Sequence, residues 1–397
     1  MPTATIDRPM QQPAPRAQEH ATSPARVRDA RLDFFRGLSL FIIFVNHIPG
    51  NPWNMIMPAK WGLSDATEVF VFCSGMASAL AFARVFETHG IGIGVARIAY
   101  RCWEVYWAHI GCFMAVIALM IASDRLLGTG DQFLHSIGLT GFLEQERGAR
   151  LLGLMTLTYV PPYFDILPMY LVILTLILPV MLLSRIHPWL AMAASVALWA
   201  AASQQILELP RDPLVAEPWF FNPFSWQLVF FAGFAVTRGW VHAPGSHPAL
   251  IIAAVLIVLA SVPLSWKPAY DTVPLIQDWR TTLASAIDKT HEGPLRFLHF
   301  LSIAYLATCL AGPSGSRLDG RVARLVRSVG RQSLGCFMTG LALSFLGGVA
   351  LAMLGRDNIA VVAAVNLTGI GLIVLAAFLA AWFKSYPWHR RSAGREE

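Results

Sequence analysis

Apolar residues run along this chain in long blocks separated by short polar stretches. No sustained alternation with a period of two marks a strand, and the blocks read as helices. A helix that crosses a bilayer needs about 20 mostly apolar residues. Ten blocks fit that description: 33–49, 66–87, 95–123, 164–184, 188–205, 223–240, 247–264, 295–313, 332–354 and 359–383. The first is short, and the third is long enough to tilt. The stretch 139–162 differs, because its apolar piece Leu151–Val160 is too short to cross and ends at Pro161-Pro162. It reads as re-entrant or interfacial.

The pattern therefore predicts an all-α, polytopic integral membrane bundle of about ten transmembrane helices. Residues 1–31, rich in Pro, Ala, Gln and Arg and lacking the apolar core of a signal peptide, read as a disordered cytosolic tail. Residues 32–384 form the ten-helix domain, and 385–397 a cytosolic C-terminal tail. Composition agrees: the chain is 55% hydrophobic and 14% charged, against about 25% charged in soluble domains. Soluble enzymes, coiled coils and disordered chains are excluded.

Charge adds an orientation. With the N-terminus inside, inner segments carry nineteen Lys and Arg and outer segments ten, and five of the inner ones are Arg317, Arg321, Arg324, Arg327 and Arg331. The positive-inside bias then predicts an N-in, C-in protein. The net charge of +6 does not indicate nucleic acid, since the cations sit in tails and short loops. The five cysteines lie in apolar runs without a CxxC pair, which reads as buried small side chains and predicts no metal site. No internal repeat supports the inverted-repeat design of many transporters.

Ionisable groups within spans are costly and are treated as functional candidates. Arg36 and His47 are eleven residues apart on the first helix. At 100° per residue this is three turns plus about 20°, so both lie on one face, about 16 Å apart along the axis. A thioester donor such as acyl-CoA would fit this stripe, with its phosphates near Arg36 and its acyl group reaching His47. A neutral imidazole can take a proton from an attacking hydroxyl near neutral pH. The plainer reading has Arg36 snorkelling to headgroups and His47 serving as a helix-end histidine beside Pro49.

Three further groups join these. Asp65 and Glu68 open the second span on the side of His47, where a carboxylate could orient the imidazole; their spacing equally fits a capping box. On the third span stand Arg97, Arg101, Glu104, Tyr106 and His109; the arginines offer a phosphate clamp or, with Glu104, a structural ion pair, and His109 reads as a satisfied core histidine. In Tyr159–Tyr170, Asp165 and Tyr170 face the region where an outer-side acceptor would enter, although an acid at a helix start also explains Asp165. Trp219, Trp266 and Trp279 in outer loops suit interface anchoring, and also sugar stacking. No Walker loop, GxSxG, HExxH or cofactor-binding glycine fingerprint occurs.

Arg31-Leu-Asp-Phe-Phe-Arg36-Gly-Leu, with His47-Ile-Pro-Gly-Asn51 and Ser64-Asp65-Ala-Thr-Glu68-Val-Phe-Val-Phe-Cys-Ser74-Gly75, resembles the OpgC family of membrane acyltransferases. The Tyr159–Tyr170 string and Gly330-Arg331-Gln332-Ser333-Leu334 extend the resemblance, which runs from about Arg28 to the last span. The family is similar to the acyltransferase-3 superfamily, whose basic residue, ten positions, then His is matched by Arg36 and His47. The resemblance implies a ten-helix inner-membrane enzyme that transfers succinyl groups to osmoregulated periplasmic glucans from succinyl-CoA. It assigns the catalytic role to His47 and the basic partner role to Arg36. Two departures stand out. Asn46 occupies the place of an acid before the His, and the late Tyr-Leu-x-His string reads Cys336-Phe337-Met338-Thr339-Gly340.

The combined expectation is an O-acyltransferase with acyl-CoA as co-substrate, no permanently bound cofactor, and a carbohydrate acceptor outside. His47 is the base, supported by Asp65 or Glu68. Arg36, Arg101, Tyr106, Asp165 and Tyr170 bind substrate. Two rivals are a proton-coupled transporter with His47, Asp65 and Glu68 as relay, and an assembly protein whose charges serve packing alone.

Overall fold

The computed structural model describes residues 29–144, 147–210 and 219–389. The expected N-terminal tail lies outside these up to residue 28, as does the C-terminal tail from residue 390. Asp29 accepts a hydrogen bond from the Arg31 amide and caps α1 (Ala30–His47), so the first helix begins at Ala30. The other helices are α2 (Ala66–Ser78), α3 (Arg84–Leu127), α4 (Gln132–Ser136), α5 (Thr140–Glu144), α6 (Arg147–Thr156), α7 (Ile166–Ile186) and α8 (Pro188–Ser203). There follow α9 (Pro223–Arg238), α10 (Pro248–Ser265), α11 (Lys267–Thr272), α12 (Pro274–Thr282), α13 (Pro294–Ala311), α14 (Arg321–Arg331), α15 (Ser333–Leu354) and α16 (Ile359–Lys384). Among the described residues the fold is all-helical.

Six helical segments are long and apolar enough to cross a membrane: Ala66–Leu127, Ile166–Ile186, Pro248–Ser265, Pro294–Ala311, Ser333–Leu354 and Ile359–Lys384. The first is 62 residues long and contains the second and third expected blocks. A π-turn at Ala79–Ala83 joins α2 to α3, and the chain bends within α3 at Gly90, whose φ of +81° suits a residue without Cβ. Pro188–Ser203 is apolar but shorter, at 16 residues. The stretch 139–162 does not form one long helix; α5 and α6 occupy it, and Phe142, Leu154 and Tyr159 pack with Phe113 and Phe345.

α9 is central. Trp226, Leu228, Val229 and Phe231, which point to different faces of it, are all buried, as expected of a helix that is apolar all round. α2 packs against it at backbone distance, because a Cβ on Gly75 would stand 1.8 Å from the Phe230 carbonyl oxygen. The basic stretch after Gly320 folds as α14, which docks on the start of α1. Arg331 there pairs with the fully buried Asp33 at 3.1 Å.

Candidate active site

α1 supplies two of the expected site residues to two different cavities. His47, in its last turn, lines a cavity of about 410 Å³ together with Thr67, Tyr163, Asp165 and Lys289. Arg36, three turns earlier, lines a cavity of about 220 Å³ with Arg97, Arg101, Glu104 and Tyr170. Ile166 and Phe337 line both.

The His47 ring is held from its own helix. Its Nδ1 lies 2.6 Å from the Ile43 carbonyl oxygen. A carbonyl can only accept, so Nδ1 carries the proton and donates. In the neutral ring Nε2 is then the acceptor, which is the state a general base requires. Tyr163 contacts the ring edge-on at 5.4 Å. Trp219, Phe220 and Phe221 add an aromatic wall to the same cavity.

Beside this cavity lies a buried charge cluster. Asp65 accepts from the Thr67 amide while Glu68 accepts from the Asp65 amide, closing a capping box at the start of α2. The other Asp65 oxygen pairs with Lys289 at 2.6 Å and with Arg296 at 3.5 Å. Arg296 also pairs with Glu68 and with Glu292. Burial alone would raise the Asp65 carboxyl, but Lys289 and Arg296 outweigh it and hold the group well below the usual carboxylate range. Glu292 goes the other way: burial, reinforced by the facing Glu68, pushes it well above that range.

The loop that carries Lys289 is anchored from several sides. Trp226 donates its indole N–H to the Lys289 carbonyl at 2.9 Å, and Trp199 does the same to the Glu292 carbonyl. His291 sits between Asp288 at 2.7 Å and Glu208 at 3.0 Å.

These contacts place each expected residue. His47 and Asp165 share the larger cavity; Arg36, Arg101 and Tyr170 share the smaller one. Asp165 and Tyr170, expected on one side, are thus divided between the two, since five residues of helix advance the chain by about 7.5 Å. Arg36 donates to the Cys73 carbonyl at 2.9 Å, and Arg101 pairs with Glu104 at 3.1 Å. Asp65 and Glu68 lie beside the larger cavity, engaged with their own amides and with Lys289 and Arg296. The imidazole itself is hydrogen-bonded to the Ile43 carbonyl. Tyr106 lines neither cavity; its hydroxyl donates to the Met155 carbonyl at 2.8 Å. His109 is buried in the core, but among the described residues neither of its ring nitrogens has a hydrogen-bond partner, so it is not the satisfied core histidine that the plainer reading required.

Sequence reasoning passed over Lys289, Arg296 and Phe337. Lys289 and Arg296 counted only as loop and flank charges, and Phe337 looked like any apolar helix residue. Their one sequence signal was negative charge elsewhere, since the acids at 65, 68 and 292 need cations once buried. Among the described residues no group of His, Cys, Asp or Glu is arranged to hold a metal ion.

The fold and site define a helical membrane protein with a histidine held in base-competent form in one cavity and arginines lining the adjoining one. Residues 28–385 match the family model described as OpgC protein, and the chain belongs to the OpgC family. Membership implies an acyltransferase-type membrane enzyme acting in glucan modification. No curated protein matches the chain, and no solved structure matches it.

Proposed function

We propose that this protein is an O-acyltransferase of the bacterial inner membrane, with ten crossings and both termini in the cytosol. It moves an acyl group, succinyl, from cytosolic acyl-CoA to a hydroxyl of a periplasmic glucan or related envelope carbohydrate. The observation that carries this reading is the Nδ1–H contact of His47 to Ile43, which leaves Nε2 available in a cavity adjoining an arginine-lined one. The Arg36 cavity receives the donor: Arg36, Arg97 and Arg101 hold its phosphates, for which guanidinium groups are suited. The His47 cavity receives the acceptor, whose sugar rings meet Trp219, Phe220 and Phe221.

In the reaction Nε2 takes the proton of the acceptor hydroxyl as its oxygen attacks the thioester carbonyl carbon. The carbon–sulfur bond then breaks, and the imidazolium returns its proton to the departing thiolate. The products are one ester and one thiol. Lys289, beside His47, is placed to favour negative charge that develops on the carbonyl oxygen or is carried by the acyl group. Asp165 accepts a hydrogen bond from the acceptor sugar. Asp65 and Glu68 act at one remove, by fixing Lys289 and Arg296.

Mass spectrometry of extracytoplasmic glucans from a deletion host tests the proposal. The expected result is an acyl mass increment with the wild-type protein that is lost with equally abundant His47→Ala. Identical glycan profiles from both, alongside an altered solute flux, would replace it with the proton-coupled transporter. The pairing of Asp65 with Lys289 and Arg296 argues against Asp65 as a member of such a relay, because a relay acid must be free to take up and release its proton.

A further inference from the structure

The two cavities adjoin and share part of their walls. Phe337 on α15 and Ile166 on α7 line both, and Phe70 on α2 stacks on the Phe337 ring at 6.0 Å with 24° between planes. Phe70 lines only the Arg36 cavity of the two. Phe337 is 5% exposed. It stands where the Arg36 side gives way to the His47 side, along the stripe of α1 on which both functional residues lie.

The ring has little room to withdraw. Behind it, against α1, is a void of about 10 Å³ bounded by Leu40, Ile43, His47 and Gly340. That is space for about one water at most, far less than a phenyl ring needs. To open a passage, the ring must therefore swing into one of the cavities it now walls.

We propose that Phe337, backed by Phe70 and Ile166, is a septum between the donor and acceptor cavities that decides which acyl groups reach His47. The proposal rests on the transferase reading for its consequence, though not for its geometry. A thioester arm entering beside Arg36 must displace the ring before its carbonyl carbon meets Nε2, so the ring discriminates by width and length. While closed, it keeps acceptor-side water from the thioester. Such water would otherwise attack the carbonyl carbon and break the carbon–sulfur bond, giving a carboxylic acid and a thiol without transfer. Phe337 is thus a specificity-determining residue, selecting transfer over hydrolysis and narrow acyl groups over bulky ones.

The test uses full-length protein in membrane vesicles, with Phe337→Ala and Phe337→Leu, and Ile166→Ala in case neither Phe337 variant folds. Thioester hydrolysis is measured without acceptor, across acyl-CoA donors of increasing length and branching. Opening the septum is expected to raise hydrolysis by roughly tenfold and to admit donors the wild type rejects, the scale on which apolar pockets discriminate. Phe337→Trp is expected to block transfer. A second readout is independent of chemistry. Thr158→Cys, on the wall of the His47 cavity, is labelled with a small impermeant thiol reagent from the Arg36 side of inverted vesicles. The signal is read as the increment over the parent and its five native cysteines.

Labelling in Phe337→Ala but not in the parent supports the septum. Equal labelling in both, or unchanged hydrolysis and donor range in folded Phe337→Ala, overturns it. If wild-type protein transfers no acyl group from any thioester, the transferase reading fails instead, and the labelling still decides the septum.

Discussion

The Ile43 carbonyl receives the Nδ1–H of His47, one helical turn further along the same helix. Ordinarily a carbonyl four residues back accepts from the backbone amide; here it also fixes the tautomer of a side chain. Selectively ¹⁵N-labelled histidine, with His47→Ala to assign the signal, is expected to show His47 protonated on Nδ1. A dominant Nε2–H form would remove the proposed base. Replacing His47 with Ala is expected to lower turnover by about 10²–10⁴, with the folded fraction unchanged.

Arg101 and Arg36 share a cavity but not a role in stability. Arg101 pairs with the partly exposed Glu104, a contact of small energetic weight. Arg101→Gln is therefore expected to raise the KM for donor by about tenfold, equivalent to about 1.4 kcal/mol, with kcat and thermal stability little changed. Arg36→Gln disturbs a buried contact to the Cys73 carbonyl as well, and should lower both affinity and thermal stability. Steady-state kinetics beside thermal unfolding in detergent separates the two cases.

Asp65 binds two cations while capping α2. Asn caps a helix nearly as well as Asp, so Asp65→Asn isolates the ionic part. It leaves Lys289 without its 2.6 Å partner and is expected to cost about 1–3 kcal/mol, discounted because Lys289 is partly exposed. Adding Lys289→Gln should recover part of that loss. Strictly additive losses in the double-mutant cycle would show that the two do not interact.

His291 gives the Lys289 loop a pH dependence. Burial disfavours its charge, but the hydrogen bonds it donates to Glu208 and Asp288 outweigh this and raise it above its ordinary value. A group raised on folding contributes its full stabilisation below the unfolded value, about 6.5, and loses it as pH rises through the higher folded value. Apparent melting temperature is therefore expected to fall as pH climbs above about 6.5, and to fall less in His291→Gln. Parallel curves for the two proteins would exclude His291 as the source.

Gly75 tests the packing of α2 on α9. With a Cβ 1.8 Å from the Phe230 carbonyl oxygen, Gly75→Ala forces the helix backbones apart, at a cost of about 1–3 kcal/mol. Reduced thermal stability and a weakened His47 cavity should appear together. Gly92→Ala, where nothing lies within 4 Å, is the matched control.

Much of this protein was legible in its linear pattern. Apolar blocks long enough to cross a membrane can only be helices there, because lipid offers backbone groups no other partner. Helical phase alone set Arg36 and His47 on one stripe, and the Asp65–Glu68 capping box is a spacing of three that α2 realises. These are local relations, written within one helix. What the chain order does not contain is which distant side chains meet. Lys289 reaches Asp65 across 224 positions, Arg296 gathers three acids, and Phe337 falls between two cavities only because α15 packs where α1, α2 and α7 converge. The division of Asp165 from Tyr170 is partly of the same kind: helical rise separates the two by about 7.5 Å, but which cavity each one meets depends on the side chains that other helices bring there. Local periodicity dictates the elements and their faces. The burial of charge and the closure of space are properties of the packed assembly, so only the tertiary structure could decide them.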